Sequence, residues 1–544
     1  MHRSKDEVTD QAITGGGDGP ISGGGPESRP STRPGTRPGT RPGTGPGARD
    51  GIGADFLQLD AAEAPPGGMA EWLARRLREA IADGRLPVGT RLPATRVLAA
   101  DLRVSRGVVT DAYQRLIDDG HVAGRGRAGT IVVAAPLTAP PPPPARAPAH
   151  TGPPEPPRPV FPVFPVFPDR PGAEAFDVLR AAPARIDLSP GTPDLAAFPR
   201  AAWLRAERRV LSALAAPSFG YGDPRGTPAL RTAVAGWLAR NRGIRADPAD
   251  IVIVAGTAQA LGLLSQVLRA TGVDTVAVED PGSLGTRQHL DHWGMRTPPV
   301  PVDDHGVRVD ALRRTGAPAV LLTPAHQFPT GTVLSGARRR ELRDWATAGG
   351  LIIEDDYDAE HRYDRPPVPA LRALLTDQVF HAGSVSKLLA PALRTGWVLA
   401  PPRHRDALVD AKRFADLGNA ALPQLVLADL MESGDMERQL RTLRRRHRAR
   451  RDAMIAAIRA RLPGAVVHGA AAGLHLLVTF PGRPALGDAD LAAAALGRGV
   501  KTQPLSWHAQ RPAPPGLVLG YAATTPSVID DGVAAIAAAL RDLT

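Results

Sequence analysis

The sequence predicts an α/β protein in two parts. A small helical module ending in a two-stranded wing comes first, then a large α/β domain with a smaller α+β lobe at its C-terminal end. Three observations predict this. Short apolar runs, IVIVAG (251–256), TVAVED (275–280), AVLLTP (319–324) and LIIEDD (351–356), alternate with helical segments. Unbroken apolar strands between helices indicate a parallel sheet covered on both faces. A second stretch, 69–134, has its own helical periodicity, and the two are separated by APPPPPARAPAHTGPPEPPRPVFPVFPVFP, where proline is too dense for helix or sheet. With 544 residues, 43% of them hydrophobic, there is enough chain for two or three domains.

Residues 1–68 are low in complexity, with R-P-G-T repeated in STRPGTRPGTRPGTGPG. They lack the apolar residues that offset ordering entropy and are expected to be disordered. Seven basic and nine acidic residues leave this tail at −2, so it is no basic arm. In 69–134, EWLARRLREAIADG (71–84) reads as an amphipathic helix stopped by Gly84. A short helix follows at Leu98–Leu102, then a turn at Val104-Ser105 with Ser105 as N-cap, and a second helix at Arg106–Asp118 stopped by Gly120. This is a helix–turn–helix whose second helix is free to enter a major groove. HVAGRGRAGTIVV then alternates as a two-stranded wing turning at Gly124–Gly129. Eleven arginines against seven acids make the module +4. Arg91, Arg96, Arg106, Arg125 and Arg127 cluster in the loop, helix start and wing, with Ser105 and Thr110 beside Arg106. They are the candidate contacts to double-stranded DNA, and Arg106 can reach phosphate or guanine. A solvated arginine face would give the same charge.

Residues 135–183 form the Pro-rich linker. About 30 residues of polyproline II at roughly 3.1 Å each span on the order of 90 Å. The VFP repeats either dock on a surface or serve as a plain spacer. No cysteine is present, which excludes disulfides, Cys-based zinc sites and thiol nucleophiles, and no metal site is expected. No run of about 18 apolar residues and no signal core occurs, so a cytoplasmic protein without a membrane partner is expected. The net charge of +11 is compatible with a nucleic-acid partner.

The chain has four lysines. Lys5 lies in the tail, Lys412 beside Arg413 on a helix expected to be exposed, and Lys501 in the C-terminal lobe. Lys387 lies in HAGSVSKLLAPALRTGWVL, between an apolar strand and a Pro-bearing turn, with Ser384 and Ser386 before it and Arg394 seven residues after. A lysine in an apolar pocket loses its proton readily, which suits imine formation. A purely structural buried lysine is disfavoured, because an unpaired buried ammonium is costly. In LIIEDDYDAEHRYD a buried strand ends in Glu354-Asp355-Asp356-Tyr357, at the strand end where open α/β sheets bind ligands. Asp355 and Tyr357, two apart, share a face, although this segment alone also reads as a solvated acidic loop. IVIVAGTAQALGLLSQVL runs from a strand through Gly256, Thr257, Ala258 and Gln259 into a helix whose N-terminus offers free N–H groups. Together these supply the four parts of a pyridoxal 5′-phosphate site. Lys387 is the Schiff-base lysine, Asp355 the partner of the pyridinium nitrogen and Tyr357 the hydroxyl for the ring oxygen. Thr257, Ala258, Gln259, Ser384, Ser386 and Arg394 surround the phosphate.

These segments resemble the fold-type I, class I/II aminotransferases, and FGYGDPRGTPALR (219–231), VEDPG (278–282), TPAHQFPTG (323–331) and SVSK (384–387) extend the resemblance. The string GRLPVGTRLPATRVLA…VSRGVV…AYQRLIDDG…GRAGT is similar to the winged domains of the GntR regulators. The variants GYGDPRG, TPAHQFPTG, IEDDYDAEHRYD and LLAPALRTG behind such a module resemble the MocR/GabR regulators, over about 69–134 and 184–544. The resemblance implies a GntR-type winged helix-turn-helix at 69–134 and a transferase-like α/β domain at 184–544 that binds pyridoxal phosphate. It implies a transcription regulator on two operator half-sites, with an amine, an amino acid or pyridoxal phosphate as effector. It implies a homodimer in which Tyr221 reaches the phosphate in the partner subunit's site.

Three departures from the family pattern stand out. Ser283 follows VEDPG, where the family often has a tyrosine and aminotransferases stack an aromatic ring on the cofactor. In LVLGYA (517–522), Val518 stands where aminotransferases carry the arginine for the substrate carboxylate. The asparagine of the usual NPTG is Phe328, and the preceding His326 and Gln327 either contact the ring or are structural. The missing arginine favours pyridoxal phosphate as its own signal, controlling vitamin B6 synthesis; a working aminotransferase fused to a winged helix is the competing reading. The basic run RQLRTLRRRHRARRD (438–452) reads as a solvated helix face or as a DNA contact between half-sites.

Overall fold

The computed structural model describes residues 59, 61–65, 67–82, 85–124, 129–133, 167–168, 171–363 and 368–543. In the N-terminal module the helix Met69–Ala82 buries Trp72, Leu73, Leu77 and Ile81 against Val109, Ala112, Tyr113 and Leu116 of the helix Arg106–Asp118. Ser105 caps the second helix, its side chain accepting from Val108 N at 3.4 Å. The short helix covers Thr95–Asp101, beginning three residues before the expected Leu98, because the chain turns into it directly after Pro93. Tyr113 fastens that entry by donating to the Pro93 carbonyl at 2.8 Å. The wing strands Val122–Gly124 and Thr130–Val132 pair antiparallel. The segment expected to lack structure contains a 3-10 turn, Ala61–Glu63, where Glu63 pairs with Arg76 at 2.6 Å.

The large domain is built on an eight-stranded sheet. From edge to edge it runs Ile251–Val254, Gly396–Leu399, Val379–Ser384, Leu351–Asp356, Ala319–Leu322, Val276–Asp280, Pro299–Asp303 and Gly306–Val307. The four expected runs lie parallel to one another, and the sheet as a whole is mixed. Gly396–Leu399 is antiparallel to both neighbours, because the chain returns from Ser384 through a short loop rather than a crossover helix. The expected apolar runs are strands buried along their whole length, packed between helices. The carboxyl ends of Ile251–Val254, Leu351–Asp356 and Val379–Ser384 bring 255–259, 355–358 and 384–387 to one edge.

The smaller lobe has a four-stranded antiparallel sheet, Val466–His468, His475–Thr479, Gly516–Gly520 and Gln503–Pro504, under the helices Asp435–Arg461, Asp488–Gly497 and Pro526–Asp542. Residues from before the large sheet complete it: Ile186–Asp187 pairs in parallel with Val500–Lys501. Of the Pro-rich segment, Phe167 stacks on Trp507 with ring centroids 5.1 Å apart, and Trp507 Nε1 donates to the Pro168 carbonyl at 3.1 Å. Phe167 and Pro168 of the last VFP repeat are thus docked; Val166 and the earlier repeats lie outside the described residues.

The basic run is only partly a solvated face. Arg441 and Arg445 are exposed, but His447, Arg450 and Arg451 are buried. Arg450 pairs with Asp194 at 2.9 Å, Arg444 donates to the Glu360 carbonyl at 2.7 Å, and Arg451 lies over the Tyr363 ring. Acceptors far away in sequence draw these guanidinium groups inward.

Candidate functional site

The strand Leu351–Asp356 alternates its acids between two faces. Glu354 accepts from the N–H groups of Leu371 and Arg372, at 2.8 and 3.0 Å. Asp356 pairs with Arg242 at 2.5 Å and lies 3.1 Å from His381 Nε2; burial would raise its carboxyl, but the Arg242 charge and the contact with His381 hold it low, at about 2. Asp355 points the other way. Its Oδ1 is buried and has no hydrogen-bond partner among the described residues. Burial, then the charges of Asp356 and Asp358, push its carboxyl up to about 7, opposed by Lys387. A buried acceptor without a donor is uncommon and calls for a missing partner.

Lys387 follows the strand Val379–Ser384 and donates from Nζ to the Gly191 carbonyl. Burial pulls its ammonium below the ordinary lysine value, against the pull of Asp358 and Asp355. Gly191 has φ +85°, and a Cβ there would lie 3.1 Å from Nζ, so the loop passes directly over the amine. Tyr357 donates to the His326 carbonyl at 3.0 Å and lies 3.0 Å from His326 Nδ1, which is 2.9 Å from Asp358 Oδ2. Burial first, then Asp358 and Asp355, keep the phenol protonated far above its usual range. His475 completes the wall, its ring 5.0 Å from that of His326. His326, Asp358 and His475 could in principle share an ion. His326 Nδ1 is engaged by Asp358 and Tyr357, and His475 Nε2 by the Pro329 carbonyl at 3.2 Å, whereas His326 Nε2 is buried with no hydrogen-bond partner among the described residues.

The helix Gly256–Ala270 begins at the end of its strand with Gly256 at φ +78°. Thr257 and Ala258 lie in its first turn, where N–H groups have no intrahelical acceptor. Arg394, itself at φ +47°, donates to the Ala255 carbonyl; a Cβ on Gly256 would lie 3.2 Å from its Nη1. Ser384 is buried and accepts from Ser386 N at 3.3 Å, while Ser386 stays partly accessible. Gln259 departs from its expected place at the phosphate. Its Oε1 accepts from Ala255 N at 2.7 Å and Lys412 at 2.8 Å, and its Nε2 donates to Asp416 at 2.7 Å, so it braces the turn from behind. Lys412 is not exposed as expected but fully buried, drawn in by these acceptors. Tyr221 is 97% exposed.

The opposite end of the site is closed. Val518 is fully buried and packs with Leu477, Leu505 and Phe328. Ser283 caps the helix Leu284–His292, accepting from Thr286 N at 3.2 Å. Gln327 is structural, donating to the Pro281 carbonyl at 2.9 Å and accepting from Thr330. Sequence reasoning missed Gly191, Asp358 and His475. Gly191 sits in a Pro-Gly-Thr-Pro turn and Asp358 in the acidic string already singled out, so both left a signal; His475, in an apolar strand of the other lobe, left none.

In the N-terminal module Arg91, Arg96, Ser105, Arg106 and Thr110 are all exposed. Arg106 Nε lies 3.4 Å from Thr95 Oγ1, and Thr110 donates to the Arg106 carbonyl at 2.9 Å. Arg125 and Arg127 lie outside the described residues. No described helix is long and apolar enough to cross a membrane.

Known proteins match both parts. The family "Aminotransferase class I and II" matches residues 184–536, and "Bacterial regulatory proteins, gntR family" matches 69–132. The probable rhizopine catabolism regulatory protein MocR of Rhizobium meliloti is 32% identical over 482 residues, covering 87% of this chain and 94% of that protein. The transcriptional regulator TauR of Rhodobacter capsulatus is 33% identical over 88% of this chain and 98% of its own length. The pyridoxine biosynthesis transcriptional regulator PdxR of Corynebacterium glutamicum is 31% identical over 71% and 78%. Among solved structures, the multiple substrate aminotransferase of Thermococcus profundus has a TM-score of 0.62 at 27% identity, covering 68% of this chain and 95% of that one.

Proposed function

The chain belongs to the class I and II aminotransferase family and is a MocR-type transcription regulator with a GntR-type DNA-binding domain, and from there we propose that it senses pyridoxal 5′-phosphate held at Lys387. The observation that carries this reading is Asp355. Its orphaned, buried oxygen fits a protonated ring nitrogen, a partner that would satisfy both its hydrogen bond and its charge. The other residues fit the same group. Lys387 offers an amine of lowered basicity to an aldehyde, and Tyr357 offers a phenol kept protonated by burial and by the charges of Asp358 and Asp355. Thr257, Ala258, Ser384, Ser386 and Arg394 offer donors to a phosphate. Bound there, the cofactor would supply an aldehyde that exchanges with amines and a ring that withdraws electrons.

The protein acts as a homodimer in this proposal, the exposed Tyr221 of each subunit completing its partner's site, and works in the cytoplasm. Arg91, Arg96, Arg106, Thr110 and the wing residues Arg125 and Arg127 contact the operator, with Ser105 shaping the start of the recognition helix. The closed carboxylate end favours the cofactor itself as the effector over an amino acid. Pyridoxine biosynthesis, the process named for the relative in Corynebacterium glutamicum, is then the pathway under control. The experiment is a binding titration on DNA from upstream of the chain's own gene and of cofactor-synthesis genes, with and without pyridoxal phosphate. The reading expects an affinity that shifts with the cofactor in the wild type and does not shift in Lys387→Ala. Equal shifts in both proteins would refute it. Binding should also weaken steeply with salt as phosphate contacts release counterions, and Arg106→Ala should cost about 1–3 kcal/mol if Arg106 reads a base.

A further inference from the structure

Lys412 lies on the helix Arg405–Asp416, behind the turn that opens the helix Gly256–Ala270, and its side chain is fully buried. Its ammonium donates to three acceptors: Gln259 Oε1 at 2.8 Å, Asp416 Oδ2 at 2.7 Å and Asn419 Oδ1 at 2.5 Å. That satisfies all three of its protons. Each acceptor is tied to the surroundings of the phosphate site. Gln259 Oε1 also accepts from the backbone N–H of Ala255 at 2.7 Å, and Gln259 Nε2 returns to Asp416 at 2.7 Å. Asn419 Nδ2 donates to the Arg394 carbonyl at 3.2 Å. Ala255 in turn accepts the Arg394 guanidinium. Two backbone points that bound the site, Ala255 and Arg394, therefore hang from one ammonium.

Such a bracket has a physical purpose. Arg394 sits at φ +47°, a region that residues with a Cβ rarely adopt, so tertiary contacts must hold it there. The helix N-terminus and Arg394 grip an anion only if their donors stay at a fixed separation before it arrives. We infer that Lys412 is a positioning residue for the phosphate end of the site, holding Ala255 and Arg394 in register without touching the ligand. The inference rests on the cofactor reading above. It differs from a purely structural buried ion pair in one respect: it acts on phosphate recognition more than on attachment of the aldehyde.

The test uses the full-length protein and two probes, pyridoxal phosphate and pyridoxal, which carries the same aldehyde without the phosphate. Binding is read as the visible absorbance that appears when the aldehyde joins Lys387. In Lys412→Met the ratio of the two affinities should fall about tenfold or more, by analogy with the loss when outer-shell partners of metal ligands are removed. Asn419→Ala cuts only the arm to Arg394 and should move the ratio in the same direction by less. It also keeps the test decisive if Lys412→Met fails to fold. An unchanged ratio in a folded variant, or an equal loss for both probes, would overturn the inference. A wild-type protein that gains no absorbance with pyridoxal phosphate would overturn the cofactor reading itself, an outcome recognised without any variant.

Discussion

The two ends of the site are built on opposite principles. At the Lys387 end, polar groups are buried with capacity left over: Asp355 has an oxygen without a donor, Lys387 rests on a backbone carbonyl, and the first turn at Gly256 presents free N–H groups. At the Val518 end the lining is apolar. Val518, Phe328, Leu477 and Leu505 form an apolar plug, Ser283 is used as a helix cap, and Gln327 is engaged by the Pro281 carbonyl and by Thr330. Leftover capacity at one end and an apolar plug at the other suits a site that holds one charged, phosphorylated ring but does not orient a second, carboxylate-bearing molecule. Fixed orientation is what gives a positioned reaction several kcal/mol of its barrier lowering. The contrast supports sensing over turnover.

The largest expected effect is all-or-none. Lys387→Ala should abolish the borohydride-sensitive visible absorbance of the protein with pyridoxal phosphate; a band unchanged in that variant would remove the open end from the account. Next, Val518→Arg tests the closed end. A guanidinium forced into the plug has no carboxylate partner there, so thermal unfolding should show a loss of about 3–5 kcal/mol and no new transfer activity. A variant as stable as the wild type that gained turnover would show the end to be open after all.

A smaller effect tests Asp355 through pH. Its carboxyl is raised to about 7 in the folded chain without ligand. A raised carboxyl binds its proton more tightly folded than unfolded, so its contribution to stability is complete below about pH 4 and is lost as pH rises through about 7. Asp355→Asn should flatten that part of the pH–stability profile of the ligand-free protein, an effect on the order of a few kcal/mol across the window. An unaltered profile would mean that Asp355 is not the strained acid described. The smallest effect belongs to Ser283. Ser283→Ala removes a helix cap and should cost about 1 kcal/mol, measured by denaturant unfolding, with the affinity for pyridoxal phosphate unchanged. A large loss of that affinity would assign Ser283 to the cofactor.

The same contrast separates what was legible in the sequence from what was not. Lys387, Asp355, Tyr357 and Arg394 each lie in a short string whose strand, turn or helix start can be read locally, and the scarcity of lysine singled out Lys387. Burial set by distant partners left no local trace. Lys412 beside Arg413 looked exposed, yet Gln259, 153 residues away, draws it inside. Arg450 looked like part of a solvated run until paired with Asp194, 256 residues earlier. The antiparallel strand Gly396–Leu399 reads like its parallel neighbours, since an apolar run does not carry its direction. Gln259 was placed at the phosphate from its position one residue after Ala258, whereas its side chain folds back to Ala255.

The central claim, a site that holds the cofactor without driving catalytic turnover, is tested most directly by mixing the cofactor-loaded protein with a panel of amino donors and a keto-acid acceptor, then following products over time. The account predicts at most one equivalent of change per site. Repeated turnover on the seconds timescale with any common amino acid would contradict it.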